Sequence, residues 1–387
     1  MEENVSSFPI YSLKLKRKSS PKKHWPKTQP EDNLPVVKNP PRTFSPQQMF
    51  LKMAEDRLPR HAFSNSAKSF DEWKSAALPE VLATLGDWPA TVPPNPELMA
   101  EWTDRGVRKT RYHIDVGPHA SAGLQVNTPE NLPVGSKAPA IQCWHGHGDF
   151  GKDPVMGNAG NKKIEECIRT FNYDYGHQMA AHGFVTYAID WIGRGDRDDT
   201  RKPFFSSAGE GRDWCNIYYL HATMLGMTSL SINLAHGKAA TDFVSTLPQV
   251  DGGRLGVMGL SGGGTMALWT ALTDRRMTAA EIICYSNLWA TFGIADINYC
   301  GMQVAPGLFK LVDLPDLQGL LAPMPLLIDI GAYDSCFHVD SSLACYRQLE
   351  KIYAAASASS NLELDFFPGE HAWGGNLSPA FFKKQLS

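Results

Sequence analysis

The chain has 387 residues, 37 Lys+Arg against 40 Asp+Glu for a formal net charge of −3, and 43% apolar residues. These values suit one large or two medium domains around an ample core. They exclude a collagen-like chain and a largely disordered one, and no apolar run approaches the roughly 18 residues of a spanning helix, which excludes an integral membrane protein.

The start, Met1-Glu2-Glu3-Asn4-Val5, lacks the basic-then-apolar pattern of a secretory signal. Seven cysteines, odd in number and without a CxxC, read as reduced core thiols in a reducing compartment, hence the cytoplasm.

Residues 1–45 hold nine Lys/Arg against four Asp/Glu, a net of +5, with seven prolines, while the remainder is acidic at −8. This stretch buries too little to offset its ordering entropy and is expected to be a disordered tail. Its basic cluster, Lys14 to Lys23, does not predict nucleic-acid binding, because the body of the chain is acidic. Residues 46–105 read as a helical preface. Ser45-Pro46 resembles a cap with Pro at the first helical position, and Met49, Phe50, Met53 and Leu58 follow at helical spacing. A second helix fits Ser69–Leu85, with Phe70, Trp73, Ala77, Val81 and Leu85 on one side.

From residue 107 strands alternate with helices. Strands are expected over Val107–Val116, Gly123–Thr128, Ala138–Trp144, Phe184–Trp191, Arg254–Leu260, Ala280–Tyr285, Leu326–Ile330 and Leu362–Phe367. Helices are expected over Lys162–His182, within Trp214–Leu247 (interrupted), and over Gly262–Thr273, Val339–Ala356 and Pro379–Leu386. The segments 193–214 and 286–322 read as loops that cap a pocket. Continuous apolar strands alternating with helices predict an α/β fold with a mostly parallel central sheet flanked by helices. Chemistry in such sheets sits at the carboxyl ends of the strands.

The sharpest motif is Gly259-Leu260-Ser261-Gly262-Gly263, G-x-S-x-G between an expected strand and an expected helix. A serine on a tight strand-to-helix turn projects its hydroxyl above the sheet, and only small neighbours fit around it. A P-loop is disfavoured, because no Lys follows Gly264. A serine nucleophile needs a base and an orienting acid, in the chain order Ser, acid, His. Asp334, just past the strand 326–330, is the expected acid; Asp329 inside the strand and Asp340 on the next helix are rivals. His371 follows the last strand and is the expected base. The oxyanion donors are expected to be the N–H groups of Gly262 and His147, with Gly146 and Gly148 as rivals for the second. His145, Trp191, Arg194, Trp289 and Trp373 lie in or near strand-end loops and are expected around the substrate pocket. A competing reading takes His145-x-His147-x-Asp149 as the start of a zinc run, but Phe150 stands where the pattern needs a further His.

Together the HGHG loop after a strand, Asp190-Trp191-Ile192-Gly193-Arg194-Gly195-Asp196-Arg197, Gly259-Leu260-Ser261-Gly262-Gly263, Gly331-x-x-Asp334 and Gly369-x-His371 resemble the α/β-hydrolase superfamily, most closely its dienelactone hydrolase / acetyl xylan esterase-like group. The resemblance spans roughly residues 46–387. It implies an α/β-hydrolase catalytic domain over 106–387 and a carboxylic ester hydrolase working through an acyl-enzyme. The triad it implies is Ser261, Asp334 and His371, with no cofactor and no metal. Dienelactone hydrolases proper use a cysteine nucleophile; the serine here favours an esterase. The expected partner is a small-molecule ester, with an acetylated sugar as a candidate, and with no nucleic acid or membrane partner; a homo-oligomer is compatible with the sequence. The alternatives are a peptidase or amidase of the prolyl-oligopeptidase-like kind, or a metal-dependent hydrolase using the His145–Asp149 run.

Overall fold

The computed structural model of the chain describes residues 42–66, 68–199 and 213–387. The expected tail, apart from residues 42–45, and most of the 193–214 segment lie outside the described residues. Ser45–Ser387 forms one structural unit.

Nine strands make one sheet. They are β1 (Glu97–Asp104), β2 (Val107–Gly117), β3 (Ala120–Pro129), β4 (Ala138–Trp144), β5 (Val185–Ile189), β6 (Val250–Leu260), β7 (Met277–Ile283), β8 (Leu326–Gly331) and β9 (Leu362–Phe367). Their spatial order is β1-β2-β3-β5-β4-β6-β7-β8-β9. β1, β2, β3 and β5 pair antiparallel, and the run from β5 through β4 to β9 is parallel.

The inner parallel strands are mostly apolar on both faces because a core lies on each side. Along β6, Leu255 and Val257 enter one core, whereas Met258 and Leu260 enter the other. This is the period of two of an extended chain, with both faces covered. On the first face lie α2 (Phe70–Ala83), α7 (Ser229–Val244), α8 (Gly262–Thr273) and α10 (Val339–Ala355). On the second lie α5 (Tyr175–Ala181) and α11 (Ser378–Gln385), whose Met179, Phe381 and Phe382 are buried.

The helical preface forms with the expected caps. Ser45 accepts from the Gln48 N–H at the start of α1 (Pro46–Glu55), and Ser69 with Glu72 makes a capping box on α2. Phe70, Trp73, Ala77, Val81 and Leu85 are buried as the spacing predicts. In α1 the expectation of a packed apolar face fails: Met49, Phe50, Met53 and Leu58 are exposed, and Ala54 is the buried residue of the helix.

Three further differences, and one expected break, have local causes. β1 does not announce itself, because it is an edge strand with almost no buried side chain to create a pattern; the turn Arg105-Gly106, both at positive φ, joins it to β2. The single helix expected over Lys162–His182 is two, α4 (Lys162–Phe171) and α5, because Asn172 turns left-handed at φ 48°. The break expected within Trp214–Leu247 falls at Gly226, φ +79°, between α6 (Trp214–Met224) and α7. The 286–322 segment is not wholly irregular: it holds a π-helical turn at Ala290–Ala295 and the short helix α9 (Leu314–Gly319). The numbering leaves α3 for Lys152–Val155.

Candidate active site

Ser261 links β6 to α8 at φ 60°, ψ −123°, a conformation an L-residue adopts only under strain. Its own N–H is held by Ile283 O at 2.9 Å and its C=O by the Gly264 N–H at 2.8 Å. The turn has no room for larger neighbours. A Cβ on Gly259 would stand 2.3 Å from Gly263 O, and one on Gly263 would stand 2.2 Å from Trp144 O. The glycines are therefore required by the close approach of three backbone segments.

Asp334 and His371 arrive from the ends of β8 and β9. His371 Nδ1 lies 2.8 Å from Asp334 Oδ2. Asp334 Oδ1 accepts the N–H groups of Cys336 at 2.7 Å and Phe337 at 2.9 Å. Burial pushes the Asp334 carboxyl up, but His371 and these two N–H groups outweigh it and hold the carboxyl below its usual range. The rivals are elsewhere: Asp329 is fully buried within β8, and Asp340 is exposed on α10. The imidazole of His371 stacks on Phe337, with centroids 5.4 Å apart and planes 7° apart.

Ser261 and His371 line one cavity of about 440 Å³. Gly146, His147 and Gly148 form part of its wall, with Phe171, Tyr173, Phe292 and Tyr299 supplying aromatic surface. Gly262 opens α8, so its N–H has no intrahelical acceptor. Of the rivals for the second donor, the Gly146 N–H is already given to the Tyr173 hydroxyl at 2.6 Å. The His147 N–H makes no intramolecular hydrogen bond among the described residues. A buried ion-pair network anchors this loop: Lys152 Nζ lies 2.8 Å from Asp190 Oδ2, and the Lys152 N–H donates to Asp190 Oδ1 at 2.7 Å.

The five expected pocket residues do not line this cavity. His145 is buried beneath it, its Nε2 accepting the Trp191 N–H at 3.2 Å. Burial lowers its pKa to about 4, so the ring is neutral. The Trp191 ring stands edge-on to His147 at 5.0 Å, under Gly262. Arg194 Nη2 points at Cys215 Sγ, 3.2 Å away. Trp289 lines a separate cavity with Leu308 and Phe309. Trp373 gives its indole N–H to Glu281 and Ser378, both at 3.0 Å. Strand-end tryptophans bury more apolar area by folding beneath the rim than by lining it. The sequence missed the actual wall residues Tyr173 and Phe292, which come from segments with no motif around them, and Phe337, which follows the Asp334 motif by three residues.

The zinc reading of His145, His147 and Asp149 finds no support in the geometry. His145 is sealed under the loop, and the Asp149 side chain is 89% exposed. The described histidine, cysteine and carboxylate residues that do converge are His147 with Cys215 and Cys300, and His371 with Asp334 and Cys284.

No protein-family model matches the chain. A Bacillus subtilis protein named "Putative hydrolase YtaP" is 23% identical over 286 residues, covering 72% of this chain and 88% of its own. Among solved structures, a Bacteroides fragilis protein described as "a putative acetyl xylan esterase" superposes with a TM-score of 0.65 at 17% identity, covering 84% of this chain and 83% of its own. A glucuronoyl esterase from Solibacter usitatus gives a TM-score of 0.61 at 15% identity, over 85% of this chain and 98% of its own. The chain has the α/β-hydrolase fold that these enzymes share.

Proposed function

We propose that this chain is a serine hydrolase that cleaves a carboxylic ester through an acyl-enzyme intermediate. The observation that carries the reading is the strained Ser261 turn opening onto the cavity that also holds His371, itself paired to Asp334 at 2.8 Å. In this mechanism His371 Nε2 takes the proton of the Ser261 hydroxyl as the oxygen attacks the ester carbonyl, and then protonates the departing alkoxide. Asp334 keeps the ring proton on Nδ1 and stabilises the imidazolium. The tetrahedral oxyanion is held by the N–H groups of Gly262 and His147, where the start of α8 adds a favourable dipole. Water then attacks the acyl group with His371 again as base. Every group named comes from a single chain.

The relatives named for acetyl xylan and glucuronoyl esters support an ester over an amide, and the cavity volume suits a small or medium acyl group. A fluorophosphonate label with mass mapping tests the assignment. Ser261 is expected to take the label and Ser261→Ala to take none; labelling at another residue in that variant overturns the assignment. A panel of esters of graded acyl length, with matched amides, reads the substrate class.

A further inference from the structure

Three metal-ligating side chains from distant parts of the chain meet at the edge of the Ser261 cavity, and none moves a proton in the mechanism above. His147 comes from the loop after β4, Cys215 from the first turn of α6, and Cys300 from the stretch after β7. His147 Nε2 and the two sulfurs all lie within 4.8 Å of one another, with Nε2 to Cys300 Sγ at 2.9 Å. A tetrahedral zinc site, with Zn–S about 2.3 Å and Zn–N about 2.0–2.1 Å, needs S···S near 3.8 Å and S···N near 3.5 Å. To reach that arrangement the His147–Cys300 pair opens by roughly half an ångström, and the two separations to Cys215, each within 4.8 Å, settle to the same values by side-chain rotation.

We propose that His147, Cys215 and Cys300 bind one zinc ion whose fourth position, held by water, faces the Ser261 cavity. Two thiolates and an imidazole are a soft, charge-neutralising donor set for zinc. Cys300 and His147 line the cavity and Cys215 lies buried behind them, so the open side of the ion faces inward. The Arg194 guanidinium, 3.2 Å from Cys215 Sγ, supports the thiolate from outside the donor set. Binding releases the thiol protons to solvent as the Zn–S bonds form; no electron changes hands. The ion and its bound water take up space in the cavity beside Ser261, which His147 and Cys300 line. Zinc is therefore expected to inhibit hydrolysis, a consequence that, unlike the binding, rests on the esterase reading.

The experiment uses the full chain, reduced and stripped of metal. Cobalt(II) is expected to give visible tetrahedral bands and a thiolate-to-cobalt charge-transfer band saturating at one equivalent, and zinc to displace it. Cys215→Ser and Cys300→Ser are each expected to lose about half or more of the charge-transfer intensity and at least tenfold in zinc affinity. Cys336→Ser, at an exposed thiol outside the cluster, retains both. Near-ultraviolet circular dichroism shows whether each variant is folded. Zinc is expected to suppress ester hydrolysis by the unaltered chain reversibly, but not by Cys215→Ser. Absence of the cobalt band, or its survival at full intensity in both cluster variants, overturns the site. A cobalt band in a chain that neither hydrolyses esters nor takes a fluorophosphonate leaves the site standing and removes the esterase reading instead.

Discussion

Asp334→Asn changes one atom and nothing in volume, which makes its effect calculable. Asp334 Oδ1 accepts two backbone N–H groups, at 2.7 and 2.9 Å, while Oδ2 faces His371 Nδ1 at 2.8 Å. An asparagine keeps its carbonyl oxygen toward the two N–H donors, so its NH2 points at Nδ1. The imidazole must then accept at Nδ1 and carry its proton on Nε2, the atom that has to be free to receive the Ser261 proton. The reverse orientation restores the right tautomer but leaves two N–H donors facing an NH2. At roughly 1–3 kcal/mol for each hydrogen bond lost, that orientation lies about 2–6 kcal/mol higher. Dividing by 1.36 kcal/mol per decade, the productive form is populated between about 1 in 30 and about 1 in 3 × 10⁴. The kcat/KM for ester hydrolysis and the rate of fluorophosphonate labelling of Ser261 are expected to fall together by that range, with the circular dichroism unchanged. A folded Asp334→Asn protein within fivefold of the parent rates refutes the tautomer argument and the role of Asp334 with it.

Three further outcomes follow from the buried polar groups. Tyr173→Phe leaves the Gly146 N–H without its acceptor, so stability is expected to drop by about 1–3 kcal/mol and turnover to fall as the neighbouring His147 N–H loses its position; unaltered denaturation and turnover reject the link. Lys152→Ala strands the fully buried Asp190 carboxylate and is expected to cost about 3–5 kcal/mol, read by urea denaturation; a cost under about 1 kcal/mol shows that the network is not an anchor. Glu281 is fully buried near Asp365 and Asp329, and burial first, then Asp365, pushes its pKa from 4.5 up to about 8, against the hydrogen bonds of Ser378 and Trp373. Because the folded pKa is raised, the contribution of Glu281 to stability is complete below pH 4.5 and is lost as pH rises through about 8. Thermal midpoints are expected to decline across that window and the decline to flatten in Glu281→Gln; an equally steep decline in that variant assigns the slope to another group.

Local patterns carried much of the architecture. The strand Ala138–Trp144, the helix Gly262–Thr273 and the strand Leu362–Phe367 have the bounds expected from the sequence; in the first two near-complete burial writes a mostly apolar run, and in the third Leu362 and Phe367 mark the strand between charged residues. Ser261, Asp334 and His371 were nameable because each follows a strand in an order the fold imposes, and the glycines around Ser261 record contacts that exclude any side chain. Strand β1 and the left-handed Asn172 were not legible, since neither an exposed edge nor one backbone dihedral leaves an apolar rhythm. The cavity wall was illegible for a different reason. Whether Trp191, Trp289 and Trp373 face the pocket or the core depends on side-chain packing beneath the rim, and the approach of Cys215 and Cys300 to His147 depends on chain segments that meet only in three dimensions. Order along the chain determined which groups could do chemistry here; packing between remote segments decided which of them share a space.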